Sequence, residues 1–504
     1  MDLSALTPAR LKGIRRGIEK ESLRVRPDGT LSQQLHPPAL GAALTHPHIT
    51  TDFSEAQLEL ITGVHGTVDG CLGELEEIHQ FVYRHVGEEV LWAASMPCDL
   101  PADNLIPIGR YGISNVGRAK TVYRIGLSHR YGRRMQAISG IHYNFSLPGV
   151  TSEQYFALIR NFRRHSWLPI YLFGASPAAC ASFVEGRKHP LAELAPGTMY
   201  APHATSLRMG PLGYQSDAQA SLCVSYNSLD SYTNSLYDAL TRPYPAYEKI
   251  GVMTRSGNGD DYRQLSTTLL QIENEFYGTI RPKRRIRRGE RPLHALRERG
   301  VEYVEVRLMD LDPFVAVGIT PLTMRFLDIF LLHCLLSPSA QDTPQEIGGI
   351  ARNQHAVALR GREKGLLLYK GIFQVPLQEW GESIVKDCEP IAAALDAAAG
   401  GASAHREALA EAARRLADPQ STPSARVLHA MARNHDNAFM RFVLIQSTLH
   451  KGTLASRGLT PEAIARFERL AAKSISEQRN LEASDKVDFE TFRRQYLSHE
   501  LLSV

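Results

Sequence analysis

The stretch Gly140-Ile141-His142-Tyr143-Asn144-Phe145-Ser146-Leu147-Pro148 alternates without a break. In an extended chain, successive side chains point to opposite faces. Ile141, Tyr143, Phe145 and Leu147 then share an apolar face, and His142, Asn144 and Ser146 share a polar one. A strand with one face of each kind belongs to an antiparallel sheet that packs one side on a core and turns the other to a cavity or to solvent. Val301–Leu308 repeats the pattern, with Tyr303, Glu305 and Arg307 opposite Val304, Val306 and Leu308. Gly17–Val25 puts Glu19 and Glu21 on one face by the same period. Regular strand–helix alternation is absent, which argues against a doubly wound parallel sheet. The chain from 321 onward carries apolar residues at helix spacing, as in Met324-Arg325-Phe326-Leu327-Asp328-Ile329-Phe330. We therefore predict an α+β protein, a mostly antiparallel sheet with helices around it. Residues 13–320 bear the sheet, 321–504 are mainly helical, and 1–504 form a single unit.

Breaks fit that reading. Ser337–Pro344 is a loop, Ser256-Gly257-Asn258-Gly259-Asp260 closes a hairpin, and Ala392–Ala417 reads as surface helices split at Gly400-Gly401 and closed by Asp418–Pro423. With 504 residues no disulfide or structural metal is needed to support a core. Basic residues number 57 and acidic 53, a net +4, which argues against attraction of the whole chain to nucleic acid or to a membrane surface. The longest apolar run, Phe326–Leu336, is interrupted by Asp328 and His333, whereas a bilayer span needs ~18–20 apolar residues. The N-terminus has no apolar export segment. Cys71, Cys98, Cys180, Cys223, Cys334 and Cys388 are widely spaced and read as reduced, mostly buried thiols of a cytoplasmic protein.

Several segments carry groups that could converge. Glu19 and Glu21 repel each other unless a cation or proton lies between them; the plainer reading is two solvated acids near Arg15, Arg16 and Arg24. Thr50-Thr51-Asp52-Phe53-Ser54-Glu55-Ala56-Gln57-Leu58-Glu59 reads as a capped helix, with Asp52 and Glu59 on one face two turns apart. His142 is either a metal ligand or an exposed imidazole. Glu305 and Arg307 are either a surface ion pair or a metal ligand beside a phosphoryl-binding arginine. Arg208, just before Gly213-Tyr214, is either an anion clamp beside an aromatic wall or a surface residue. The run Arg281-Pro282-Lys283-Arg284-Arg285-Ile286-Arg287-Arg288 is a solvated face, a nucleotide-phosphate site or, weakest, a nucleic-acid patch. The chain has no G-x-x-x-x-G-K-[ST] loop, no G-x-G-x-x-G turn, no H-E-x-x-H and no G-x-S-x-G. Carboxylates with one imidazole and no thiolate suit Mg²⁺ or Mn²⁺. Such a site would bridge polyphosphate oxygens and leave an arginine for a transferring phosphoryl group.

The segments GIEKESLRV (17–25), LTHPHITTDFSEAQLELIT (44–62), SMPCDLP (95–101), YGISNVGRAKTVYRIGLSHRYG (111–132), MQAISGIHYNFSLP (135–148), PIYLFGASPA (169–178), HATSLRMGPLGY (203–214), QIENEFYGTIRPKR (271–284) and VEYVEVRLMDLDPF (301–314) resemble, in order, the proteobacterial glutamate–cysteine ligases. The resemblance runs from about residue 13 to at least 450. It implies a fold like the catalytic domain of glutamine synthetase, an antiparallel sheet curved into a funnel with metals on its inner face. It implies a reaction in which ATP phosphorylates the γ-carboxylate of L-glutamate and the amine of L-cysteine attacks the acyl phosphate, giving γ-glutamylcysteine, ADP and phosphate as the first step of glutathione synthesis. It places metal ligands at Glu19, Glu21, Asp52, Glu59, His142 and Glu305, the phosphoryl contact at Arg307 and a second arginine, near the acyl phosphate, at Arg208. Phe53, Gln136, Tyr214 and Tyr277 then line a cysteine pocket, and Arg281 and Lys283 contact ATP. By analogy with the family's enterobacterial members, the protein is a monomer.

Three rival readings follow from the same residues. A related carboxylate–amine ligase would use another amine. A metal-dependent phosphohydrolase would use water as attacker. A nucleic-acid binder would work through the run near Arg284, but five carboxylates without metal would repel a phosphate backbone.

Overall fold

A computed structural model describes residues 3–213, 217–220, 222–256, 259–287 and 289–502. Its centre is a seven-stranded, wholly antiparallel sheet: β1 (Arg15–Val25), β2 (Ile49–Thr51), β3 (Gln57–Ile61), β4 (Val90–Leu91), β5 (Ile141–Ser146), β6 (Ile280–Lys283) and β7 (Tyr303–Met309). The spatial order is β6-β7-β5-β1-β3-β2, with β4 paired to the C-terminal end of β1. The alternation read at 141–146 and 303–308 holds: Ile18, Leu58, Leu60, Ile141, Tyr143, Phe145, Val304 and Val306 are all buried on the core side.

The Thr50–Glu59 segment corrects the sequence reading. It is not a helix. β2 ends at Thr51, the chain turns through Asp52–Ala56, and β3 returns antiparallel with Thr50 opposite Glu59. The turn is closed by Asp52 N–H donating to the Gln57 carbonyl at 3.0 Å. Leu58 and Leu60, both fully buried, obey the strand period within the same segment, and pairing with β1 decides the outcome.

Helices α1 (Val68–Tyr83), α2 (Asn115–Tyr131), α3 (Ser152–His165) and α4 (Pro321–Leu336) surround the sheet. α4 starts where the Thr320 hydroxyl accepts from Thr323 N–H and Pro321 takes the first turn. It packs with α1 and α3 into an apolar core that also contains the sheet's Ile18, Tyr143 and Val304. The charge that interrupts its apolar run is accounted for: Asp328 accepts from Arg16 Nη2 (2.7 Å) and the Tyr143 hydroxyl (2.8 Å), two residues on the core face of the sheet. The same core runs from Leu6 through Leu416 to Leu502.

Beyond the 337–343 break lie α5 (Pro344–Arg360), α6 (Leu377–Ala398), α7 (Ala404–Ala417), α8 (Phe439–Arg457) and α9 (Pro461–Ser484). α6 and α7 are separated at Gly400 and Gly401, whose φ of 92° and 89° few other residues adopt. Each keeps a buried stripe, with Ile391 and Leu395 on α6 and Leu409 and Leu416 on α7. Met253–Ser256 and Gly259–Tyr262 pair as the expected hairpin; its tip, 257–258, lies outside the described residues. The six cysteines are free; five are buried and Cys223 is exposed. Among the described residues no helix is long and apolar enough to cross a membrane.

Candidate active site

Strand register assembles the polar face. Glu19 on β1 stands opposite His142 on β5, Glu21 opposite Glu59 on β3, and Glu305 on β7 between Asn144 on β5 and Arg281 on β6. Period two then puts Glu19, Glu21, Glu59, His142 and Glu305 on one surface. The turn after β2 adds Asp52, whose carboxylate acts electrostatically on both Glu21 and Glu59.

His142 lies at the centre. Its Nδ1 is 3.2 Å from Glu19 Oε2 and 3.8 Å from Glu305 Oε1, and its Nε2 is 3.7 Å from Glu21 Oε1. Burial and the Arg307 charge depress its pKa despite these carboxylates, so the ring stays neutral and keeps a lone pair for a ligand. Ligand atoms of Glu19, His142 and Glu305 all fall within 4.8 Å of one another. Asn144 Nδ2 donates to Glu19 Oε1 at 2.9 Å, and Gly140 N–H donates to Glu21 Oε2 at 2.7 Å, which orients both carboxylates.

The acids divide electrostatically. Burial works to raise the Glu305 carboxyl, but Lys283 and Arg307 outweigh it and hold it well below the usual range. Lys283 Nζ is 2.9 Å from its Oε1, and Arg307 Nη1 donates to its Oε2 at 3.0 Å. Burial and Glu305 raise Glu19, but the hydrogen bond to His142 and the Lys283 charge bring it below its ordinary value. The other pair goes the opposite way. Burial and Asp52 push Glu21 up to about 8, and burial with Glu19, Asp52 and Glu21 pushes Glu59 well above its ordinary value. Carboxylates forced together in this way fit a divalent cation. Carboxylate oxygens with one imidazole nitrogen fit Mg²⁺ or Mn²⁺.

The surface-arginine reading of Arg208 fails, since the residue is 1% exposed. Its Nη2 donates to the Arg307 carbonyl at 2.8 Å, and its guanidinium sits so close to Gly140 that a Cβ there would overlap it. The basic run splits. Arg281 is buried, with Nη2 donating to the carbonyls of Phe276 and Asn274, and Lys283 reaches Glu305. Arg285 and Arg287 lie at the surface against Glu302 and Glu298, while Arg288 falls outside the described residues. Phe53 is buried, and Gln136 Nε2 donates to the Tyr277 hydroxyl at 2.7 Å. Tyr214 also falls outside the described residues.

Three residues of α2 were not picked out from the sequence. Arg124 Nε donates to the Asp52 carbonyl, and its guanidinium lies 4.4 Å from the centre of the Tyr111 ring. Lys120 shares that ring at 5.2 Å. Tyr123, beside Arg124 in the same helix, has its hydroxyl pushed well above its ordinary value by burial and then by the Glu275 charge, with Asp52 adding to it. The one available hint was the i, i+4 spacing of Lys120 and Arg124, a common surface pattern.

A model of the glutamate–cysteine ligase family matches residues 3–357. The chain belongs to the glutamate–cysteine ligase family. A glutamate–cysteine ligase of Alcanivorax borkumensis is 47% identical over 513 residues, 98% of this chain and 97% of its own. That of Pseudomonas aeruginosa is 48% identical over 501 residues, 95% and 93% of the two chains. A crystal structure of glutamate–cysteine ligase from Francisella tularensis in complex with AMP superposes with a TM-score of 0.89 at 36% identity, covering 96% of this chain and 97% of that one. The fold alone is shared with a bifunctional glutathione synthetase from Pasteurella multocida, TM-score 0.71 and 24% identity over 93% of this chain and 57% of the other. Family membership makes the chain an enzyme, a ligase, and the antiparallel sheet with surrounding helices is the family's architecture.

Proposed function

We propose that this protein joins the γ-carboxylate of L-glutamate to the amine of L-cysteine at the expense of ATP, the first step of glutathione synthesis. The observation that carries the assignment of roles is the single sheet face on which Glu19, Glu21, Glu59, His142 and Glu305 meet beside Arg307 and Lys283. AMP in the Francisella structure supports a nucleotide substrate. Glu19, Glu21, Asp52, Glu59, His142 and Glu305 would hold Mg²⁺, with Mn²⁺ as a substitute. Bound there, the cations would offset phosphate charge and polarise phosphoryl oxygens. The continuous core from Leu6 to Leu502 supports one catalytic unit.

A carboxylate is a poor electrophile, and its oxygen is a poor leaving group. Phosphorylation by ATP cures both defects, and the cysteine amine then displaces phosphate. Arg307 is charged throughout, anchored on Glu305, and presents its planar fork to the transferring phosphoryl group. Arg208, fixed beside it, meets the acyl phosphate. Lys283 and Arg281, on the β6 edge, contact ATP. Phe53, Gln136, Tyr214 and Tyr277 hold cysteine. No side-chain nucleophile is required.

The test is ADP formation by the purified protein with Mg²⁺ and ATP, adding glutamate, cysteine or both. ADP with γ-glutamylcysteine only when both are present establishes the reaction. Equal ADP with neither points to a hydrolase, and turnover with a different amine points to another acceptor. Glu305→Ala should abolish ligation with the fold intact; near-normal turnover removes Glu305 from the metal site.

A further inference from the structure

Behind Gln136 and Tyr277 lies a carboxylate to which the reaction assigns no role. Glu275 and Arg130 form an ion pair at 2.9 Å with both side chains fully buried. Glu275 Oε1 also accepts from the Tyr131 hydroxyl at 2.7 Å, and Oε2 from Gln271 N–H at 2.6 Å. Arg130 is held independently by Gln264 Oε1, the carbonyls of Ser266 and Leu269, and the Tyr247 ring 4.0 Å away.

These bonds have a direction. An ionised carboxylate only accepts, so the Tyr131 hydroxyl must spend its one proton on Glu275. Burial and the Glu275 charge keep that hydroxyl protonated. Its oxygen is then left as an acceptor for Gln219 Nε2 at 3.2 Å, and the same Nε2 donates to the Glu275 carbonyl at 2.8 Å. With the amide so oriented, Gln219 Oε1 faces Tyr277 N–H and accepts from it at 3.0 Å. The Tyr131 ring also meets the Tyr277 ring edge-on, centroids 5.9 Å apart. Tyr277 in turn takes the Gln136 amide.

We infer that Glu275 is a positioning residue for the amine-acceptor pocket: through Tyr131 and Gln219 it sets the pose of Tyr277 and, through it, of Gln136. The inference rests on the pocket assignment made above. A buried ion pair adds little net stability over an apolar replacement, so its use here is orientation. Glu275→Gln would introduce a donor at the head of the chain, letting the Tyr131 hydroxyl turn its proton toward Gln219 Nε2 and break that contact, while the Glu275 carbonyl and Tyr277 N–H still fix which way the amide faces. Tyr131→Phe would cut the chain and spare the Glu275–Arg130 pair.

The experiment is steady-state ligation with cysteine varied at saturating ATP and glutamate, for Glu275→Gln, Tyr131→Phe and Gln136→Ala. Each of the first two should raise KM for cysteine roughly three- to tenfold, the worth of one net hydrogen bond. Their kcat and their KM values for ATP and glutamate should stay near wild type. Should Glu275→Gln fail to fold, Tyr131→Phe carries the test. Gln136→Ala separates the two readings. If it leaves KM for cysteine unchanged, the pocket assignment is wrong. If it raises KM while Glu275→Gln and Tyr131→Phe do not, the positioning inference is overturned. A parallel rise of all three KM values would overturn it too, because the network would then serve the fold at large.

Discussion

Glu21 stands directly opposite Glu59 in the β1–β3 register, two carboxylates on the same face of adjacent strands. Like charges so placed are destabilising, and both acids are raised by burial and by acidic neighbours. A carboxyl raised in the folded state binds more protons there than when unfolded. Its contribution therefore weakens as pH climbs from ordinary carboxylate values through about 8 for Glu21. As Glu21 ionises through that pH, the metal-free protein gains a buried charge beside Asp52 and Glu59. Metal-free Glu59→Gln should then be more stable than wild type at pH 8.5, by up to about 1 kcal/mol. MgCl₂ should raise the melting temperature of wild type and do little for the variant. Thermal melts with and without chelator check this; a variant that melts lower in chelator would mean that Glu59 is already paired.

Arg307 tests the phosphoryl contact. Its guanidinium is anchored through Nη1 on Glu305 and stays charged, raised by Glu305 against the cost of burial. Lysine keeps the charge and loses the planar fork. Arg307→Lys should lower kcat by roughly 10²–10³, the scale of one lost transition-state donor. The change should fall on kcat more than on KM for cysteine. A kcat within twofold of wild type would reduce Arg307 to a packing role.

Much of this site was legible because its logic is local. A period of two placed Glu19 with Glu21 and His142 with Asn144, and the same period separated Glu305 from Val304 and Val306. The misread segment shows the limit. The acids at Asp52 and Glu59, seven apart behind two threonines, satisfy a helix start as well as they satisfy two strands and a turn. The Leu58/Leu60 alternation was too short to arbitrate alone, and a non-local partner, β1, settles it. Tyr123 and Arg124 were invisible for a related reason: their meaning depends on Asp52, some seventy residues away in sequence, and that of Lys120 on Glu59. Asp328 reads as a blemish in an apolar helix until Arg16 and Tyr143 are brought beside it.

That last contact makes its own prediction. Asp328 is fully buried and is the acceptor shared by Arg16 and the Tyr143 hydroxyl. Removing the carboxylate leaves a buried guanidinium and a buried hydroxyl without it. Asp328→Ala should cost about 3–5 kcal/mol, the usual result of breaking a buried pair from one side. Denaturant unfolding measures it. A loss under 1 kcal/mol would show that water reaches Arg16 in solution.

The acid side of the stability profile depends on buried neutral histidines. His165 is held at about 3 by burial, then by His333, Arg164 and Lys370, and burial likewise holds His36 and His46 at about 4. These values lie below the ordinary 6.5, so between them and 6.5 the unfolded chain binds protons that the folded protein refuses. Their contribution is complete above pH 6.5 and is lost as pH falls toward 4. The melting temperature should therefore drop steeply between pH 7 and pH 5. His165→Gln, which cannot titrate, should flatten that drop by roughly one proton's worth of slope. His165 Nδ1 makes no hydrogen bond, so the substitution breaks none at that atom. Melts across the pH series, wild type against variant, decide the point: parallel curves would mean that His165 is protonated in the folded protein and that the acid loss arises elsewhere.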